Sequence, residues 1–184
     1  MKKLFIGLLT LLLVISFTGC GTKKNEANKN SKKPSIREVE GNTRVGALLY
    51  YVPKDYKYRP DLRGLIYSEN EKKVHVYGDY ENDPNNCIYL IAVVENKRME
   101  LFEYAQSVNS KLSDEDVKFT LKMNSKKSEL FAREKFVYKE QINYDYLLGY
   151  AGDIYTVNIR GPKEKETEMK SLARDLYNSL YISK

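Results

Sequence analysis

Few residues in this chain are equipped for chemistry. Its 184 residues hold one histidine, His75, two cysteines, Cys20 and Cys87, and no tryptophan. Any Ser-His-Asp or Cys-His arrangement would have to use His75. That residue stands in the alternating stretch Lys73-Val-His-Val-Tyr77. A period of two sends Val74 and Val76 to one face and Lys73, His75 and Tyr77 to the other, so His75 reads as a histidine on the more polar face of a sheet. Cys87 follows a turn and precedes an apolar run. A nucleophilic thiolate needs a cation or a helix N-terminus beside it. No such neighbour is close in sequence, and Cys87 reads as a half-buried structural thiol. Asp79, Glu81 and Asp83 alternate like the first ligands of a calcium loop, but Pro84 stands where that loop needs glycine and Leu90 where it needs a bidentate carboxylate. A solvated turn is the expectation. One His and two Cys cannot supply the four ligands of structural zinc. Gly-rich phosphate loops, G-x-S-x-G and H-E-x-x-H are absent from the sequence. The expectation is therefore no catalytic residue, no metal and no cofactor.

Tyrosine is the other distinctive residue. All 16 lie between Tyr50 and Tyr181. A tyrosine joins a large apolar body to a polar tip and serves recognition surfaces and sheet packing alike. Two readings stay open. The tyrosines are the bulky packing residues of a chain without tryptophan, or some of them line a sheet face that binds a peptide, a glycan or a partner protein. The candidates for that face are Tyr50, Tyr51, Tyr56, Tyr58 and Tyr67 early in the chain, and Tyr144, Tyr146 and Tyr150 late in it.

The first twenty residues carry an address. Met1-Lys2-Lys3 is followed by the 14-residue, largely apolar run Leu4–Phe17 and then by Thr18-Gly19-Cys20. That is the basic start, apolar centre and small-residue end of an export signal, and it is short for a permanent span, which needs about 20 apolar residues. Phe17-Thr18-Gly19-Cys20 resembles the bacterial lipobox. The resemblance implies cleavage between Gly19 and Cys20, a thioether-linked lipid on Cys20 and a fatty-acylated new N-terminus such as palmitate provides. Residues 21–44 are almost all Lys, Asn, Ser, Thr, Glu and Gly, too polar to offset the entropy of ordering. The organisation expected is a signal peptide at 1–19, a lipidated cysteine with a disordered tether at 20–44, and one folded domain at 45–184. The abundance of Lys, Asn and Tyr points to a low-GC Gram-positive source, with the chain on the outer face of the cell membrane.

The formal charge is +6, which invites a nucleic-acid reading. Its distribution removes that reading. Two charges belong to the signal and four to the tether, while residues 45–184 carry 22 basic and 22 acidic side chains. Nucleic-acid binding rests on neutralising phosphates with a basic surface, and the domain has no net charge to offer. The tether lysines keep that segment solvated or add about 1 kcal/mol each of attraction to an anionic bilayer.

Within 45–184 the pattern is mixed. Strands are expected at Ala47–Val52, 65–67, 73–77, Ile88–Val94, 117–123, 130–140, 144–150 and 154–160. The unbroken apolar run Ile88–Val94 suits a central strand covered on both faces. Glu100–Leu112 and Lys163–Leu180 place their apolar residues at helical spacing. Strands, helix, strands, helix, with short turns between consecutive strands, argue for an α+β fold with an antiparallel sheet flanked by helices.

This order, with the opening Tyr51-Val52-Pro53-Lys54-Asp55-Tyr56 and the closing helix before Leu180-Tyr181-Ile182-Ser183, resembles the Mog1/PsbP-like fold over about residues 45–184. The resemblance implies an α-β-α sandwich around an antiparallel sheet. It implies no active site, because the members share none: they include photosystem-associated proteins, a Ran-binding factor and bacterial lipoproteins of unknown role. A cystatin-like or NTF2-like α+β fold is the structural alternative. The function expected is that of a membrane-anchored cell-surface lipoprotein whose non-catalytic domain binds a partner or stabilises a complex. The alternative is an envelope hydrolase whose carboxylates meet only in the fold.

Overall fold

In the computed structural model, residues 39–65, 71–79, 86–111 and 119–184 are described. The chain divides into Met1–Ser35 and Ile36–Lys184, and every described residue belongs to the second unit. The lipobox, Cys20, Tyr67, Glu81 and Asp83 lie outside the described residues.

The strands in chain order are β1 (Thr43–Val45), β2 (Leu48–Tyr50), β3 (Lys57–Tyr58), β4 (Glu71–Gly78), β5 (Tyr89–Asn96), β6 (Thr120–Met123), β7 (Glu129–Tyr138), β8 (Gln141–Tyr150), β9 (Asp153–Gly161) and β10 (Tyr181–Ile182). Helix α1 (Leu101–Ser110) follows β5, and α2 (Glu166–Ser179) follows β9 after one 3-10 turn. Seven strands form one antiparallel sheet in the order β3-β4-β5-β9-β8-β7-β6, and β1-β2-β10 form a small second sheet. The class is therefore mixed α+β, as expected.

β5 lies inside the large sheet, between β4 and the central β9, and is buried along nearly its whole length. Its period of two divides the core. Ile88, Leu90, Ala92 and Val94 face a cluster completed by the small sheet and by Met169, Leu172 and Leu176 of α2. Tyr89, Ile91 and Val93 face the opposite way, with Val74 and Val76 of β4. Helix α1 lies on that second face. Leu101 packs against Gly149, Phe102 meets Phe131 at 5.9 Å, and the Tyr104 hydroxyl donates to Glu95 at 2.6 Å. Among the described residues, no helix is long and apolar enough to cross a membrane.

Two differences from the sequence expectation have clear causes. The strand expected over 130–140 stops at Tyr138, because Lys139 and Glu140 both take positive φ (49° and 64°) and close a two-residue hairpin. That geometry matches the twist of the flanking strands, but neither residue type announces it. Ala151 and Gly152 close the β8–β9 hairpin in the same way, at φ 52° and 80°.

The fold also begins earlier than composition suggests. Asn42, Thr43 and Arg44, assigned to the tether, are part of it. The Asn42 amide brackets Val52, accepting from its N–H at 2.9 Å and donating to its carbonyl at 2.7 Å. Gly41 fits because it has no side chain: a Cβ there would come 2.9 Å from the Tyr50 nitrogen. Backbone cannot move aside as a flexible side chain can. Gly41→Ala is expected to cost about 1–3 kcal/mol, read as a lower urea midpoint with an unchanged slope.

Candidate functional site

The face beneath α1 carries polar residues where a buried sheet would carry aliphatic ones. Alternation in β8 (Asn143, Asp145) and β9 (Thr156, Asn158, Arg160) sends these side chains to the α1 side, while Tyr144, Tyr146, Val157 and Ile159 enter the main core. Register then stacks them across three strands: Arg133 opposite Asp145, Asp145 opposite Asn158, Asn143 opposite Arg160.

A β-bulge completes the layer. The pairs Arg133↔Asp145 and Phe136↔Asn143 put three steps of β7 against two of β8. The extra residue keeps Arg133 and Phe136 on one face, with Lys135 at φ 52°. Phe136 therefore lies 3.7 Å from the Arg133 guanidinium, and the Phe119 ring lies 4.5 Å away. Arg133 is 2% exposed and Asp145 is 8% exposed. They form a direct ion pair, and Asn158 donates to the other Asp145 oxygen at 2.5 Å. Burial pushes the Asp145 carboxyl above the usual carboxylate range, against the lowering pull of Arg133 and Asn158.

This layer is not fully satisfied. Among the described residues, Arg133 Nε and Nη1, Arg160 Nε, Thr156 Oγ1 and Asn109 Oδ1 are buried with no hydrogen-bond partner. Native interiors leave few such groups. Towards the helix N-terminus, Tyr104 donates to Glu95, which also pairs with Lys97 at 3.1 Å. Burial and Glu95 hold the Tyr104 hydroxyl far above its ordinary value, so it serves as a permanent donor.

Beside the layer, between α1 and the β6–β7 end of the sheet, is a cavity of about 400 Å³. Phe102, Ala105, Phe119 and Phe131 make its walls, and Gln106, Asn109 and Ser110 make its polar side. Phe119 belongs to both features, lining the cavity and stacking on Arg133. A wider depression of about 710 Å³ lies at the other end of α1. Glu100, Glu129 and Asp153 border it together with Lys126, Lys127, Lys184 and Tyr150.

The structure does not bring the seven described candidate tyrosines to one face. Tyr50, Tyr144 and Tyr146 are core residues: alternation points Tyr144 and Tyr146 of β8 inward under α2, and Tyr50 of the small sheet points into the same core. Tyr51 and Tyr56 are half-buried against that core. Tyr58 is exposed on the edge strand β3, and Tyr150 is exposed in β8, four strands away. His75 points away from Val74 and Val76 as alternation predicts, but that side of β4 faces the main core and not the more polar face: it is bonded to Tyr50 Oη at 2.8 Å and flanked by the Tyr58 and Tyr77 rings. Cys87 is more deeply buried than expected, at 3% exposure. Asp79 holds the fold together locally. It accepts from the Ile88 N–H and from Lys165, both at 2.8 Å, and so ties the start of β5 to the approach to α2. Among the described residues, no three His, Cys, Asp or Glu side chains gather to hold a metal.

The polar layer was visible in sequence only as alternation, in Ile142-Asn-Tyr-Asp-Tyr146 and Tyr155-Thr-Val-Asn-Ile-Arg160. Such a pattern ordinarily means a solvated face. No family model matches the sequence, and no curated protein matches it. Among solved structures, the chain is similar to LpqN of Mycobacterium tuberculosis, a protein involved in cell envelope biogenesis, at 10% identity and TM-score 0.49 over 74% of this chain and 83% of that one. It is also similar to a protein from Bacteroides thetaiotaomicron at 11% identity and TM-score 0.47; that likeness covers 75% of this chain and spans 46% of the Bacteroides protein.

Proposed function

We propose that this chain is a lipid-anchored protein of the outer face of the cell membrane, and that its Mog1/PsbP-like domain binds a ligand or partner without chemistry. The lipobox-like Phe17-Thr18-Gly19-Cys20 supports the anchor. The cavity beside α1 supports binding. Its described lining is three phenylalanines, an alanine, two amides and a hydroxyl, a set that can hold a molecule and has no group suited to moving a proton at neutral pH. Its volume falls within the range of small-molecule sites, about 300–1,000 Å³.

The anchor is tested by Cys20→Ala. Precursor should accumulate uncleaved and the membrane-associated fraction should fall at least tenfold. Unchanged membrane retention of that variant would sink the anchoring reading. Crosslinking in intact cells, followed by identification of what is captured, tests binding. The protein, peptide or glycan partners anticipated above predict a captured envelope component that Phe131→Ala loses.

One observation favours the hydrolase alternative. Three carboxylates, Glu100, Glu129 and Asp153, border the wider depression. Asp153 is engaged by Lys72 at 2.7 Å and Asn96 at 3.0 Å, which leaves Glu100 and Glu129 as the pair that alternative would use. Loss of a hydrolytic activity in Glu129→Gln with unchanged stability would favour it over binding.

A further inference from the structure

We infer that the cavity beside α1 takes a small uncharged molecule with an aromatic ring and a hydrogen-bond donor. This rests on the reading of that cavity as the binding site. The walls set the body of the ligand. Phe102 and Phe131 are tilted at 50° to each other, and Phe119 is a third ring on the same lining. Rings gain from ring neighbours beyond the area they bury, through edge-to-face and offset contacts. A saturated chain gains area alone. Phe102 is 56% exposed although it forms a wall, so a ring seated there removes apolar surface that the fold itself leaves in water.

The described lining favours an uncharged molecule. No charged residue is among the described lining residues, and an ion moved there would lose hydration without gaining a partner. The polar side then offers acceptors to a donor. Ser110 already donates its hydroxyl hydrogen to the Ser107 carbonyl at 3.0 Å, leaving oxygen lone pairs to offer. Asn109 Oδ1 has no hydrogen to accept among the described residues, and the broad χ2 of asparagine lets it turn to meet one. The volume, about 400 Å³, is near the lower end for ligand sites and suits one or two fused rings.

The test is equilibrium dialysis of the full chain in phospholipid vesicles, with protein-free vesicles as the blank. The probes are indole, p-cresol, toluene, benzoate and octyl glucoside. Indole and p-cresol should bind saturably, one per chain, with toluene and benzoate each at least tenfold weaker. Phe102→Ala, at an exposed position, should weaken indole at least tenfold. Asn109→Leu should bring the indole-to-toluene ratio close to one. Ala105→Phe should fill the cavity and abolish binding, with far-UV circular dichroism confirming the fold. Toluene or benzoate binding as tightly as indole would overturn the inference. Saturable octyl glucoside with no ring binding would overturn it while leaving the cavity a binding site. Absence of binding by every probe would remove both.

Discussion

Arg133→Met is expected to destabilise the domain by about 3–5 kcal/mol at neutral pH, because it leaves a buried carboxylate without its partner. Asp145 and Arg133 are each shielded from water and bonded to one another. Asn158 is the other donor to Asp145, and one amide cannot replace a guanidinium. The loss should depend on pH in a definite direction. Burial raises the Asp145 carboxyl above its ordinary value, and Arg133 opposes that rise. For an acid raised in the folded state, stability is highest below the ordinary carboxylate value and falls as pH climbs through the folded one, because the unfolded state ionises first. Removing Arg133 moves the folded value further up. The penalty of Arg133→Met should therefore be smaller at about pH 4 than at about pH 7.5. Urea unfolding at the two pH values measures it. Arg133→Met combined with Asp145→Leu should recover most of the stability, since an apolar pair can replace a buried ion pair at little cost. Methionine also suits the slot between Phe119 and Phe136, where sulfur and aromatic rings attract. A penalty below about 1 kcal/mol, unchanged by pH, would show that the pair is solvated.

This ion pair also marks where the sequence stops being legible. The main sheet is readable because its strands obey simple patterns: Ile88–Val94 is apolar throughout, β4 alternates, and Met169, Leu172, Ala173 and Leu176 keep helical spacing in α2. The polar layer obeys the alternation rule too. What the rule does not reveal is that the polar side of β8 and β9 lies beneath a helix. That depends on α1 returning over the sheet, a tertiary event with no local signal. The bulge at Arg133–Phe136 is equally hidden. A strict period of two would send Phe136 away from Arg133, and the extra residue keeps them together. The cavity is harder still, because its three phenylalanines come from α1, from β7 and from the residue before β6. Each alone reads as an ordinary apolar residue. Their meeting is set by strand order, and strand order is what composition and spacing leave undetermined.

Tyr146→Ala tests how the two open readings of the tyrosines divide. The side chain is 1% exposed, lies under α2 and donates its hydroxyl to the Ala173 carbonyl at 3.0 Å. Truncation removes a whole buried ring and leaves a cavity between β8 and α2, so the expected loss is about 3–5 kcal/mol, as for other large aromatic residues in cores. Tyr146→Phe keeps the ring and loses only the hydroxyl bond, for about 1 kcal/mol. Tyr58→Ala should behave differently. Its ring is 43% exposed on an edge strand and lies beside the rings of His75 and Tyr77, so the loss should stay below about 1 kcal/mol. Thermal and urea unfolding of the three variants separate the classes. A small loss for Tyr146→Ala would mean that the ring is not held in the core and would return Tyr146 to the candidate binding face. The expected order also has a functional consequence. If Tyr50, Tyr144 and Tyr146 hold the sheet to α2 and the small sheet, they serve structure, and recognition falls to residues that sequence patterning did not single out: Phe102, Phe119 and Phe131 on the opposite face.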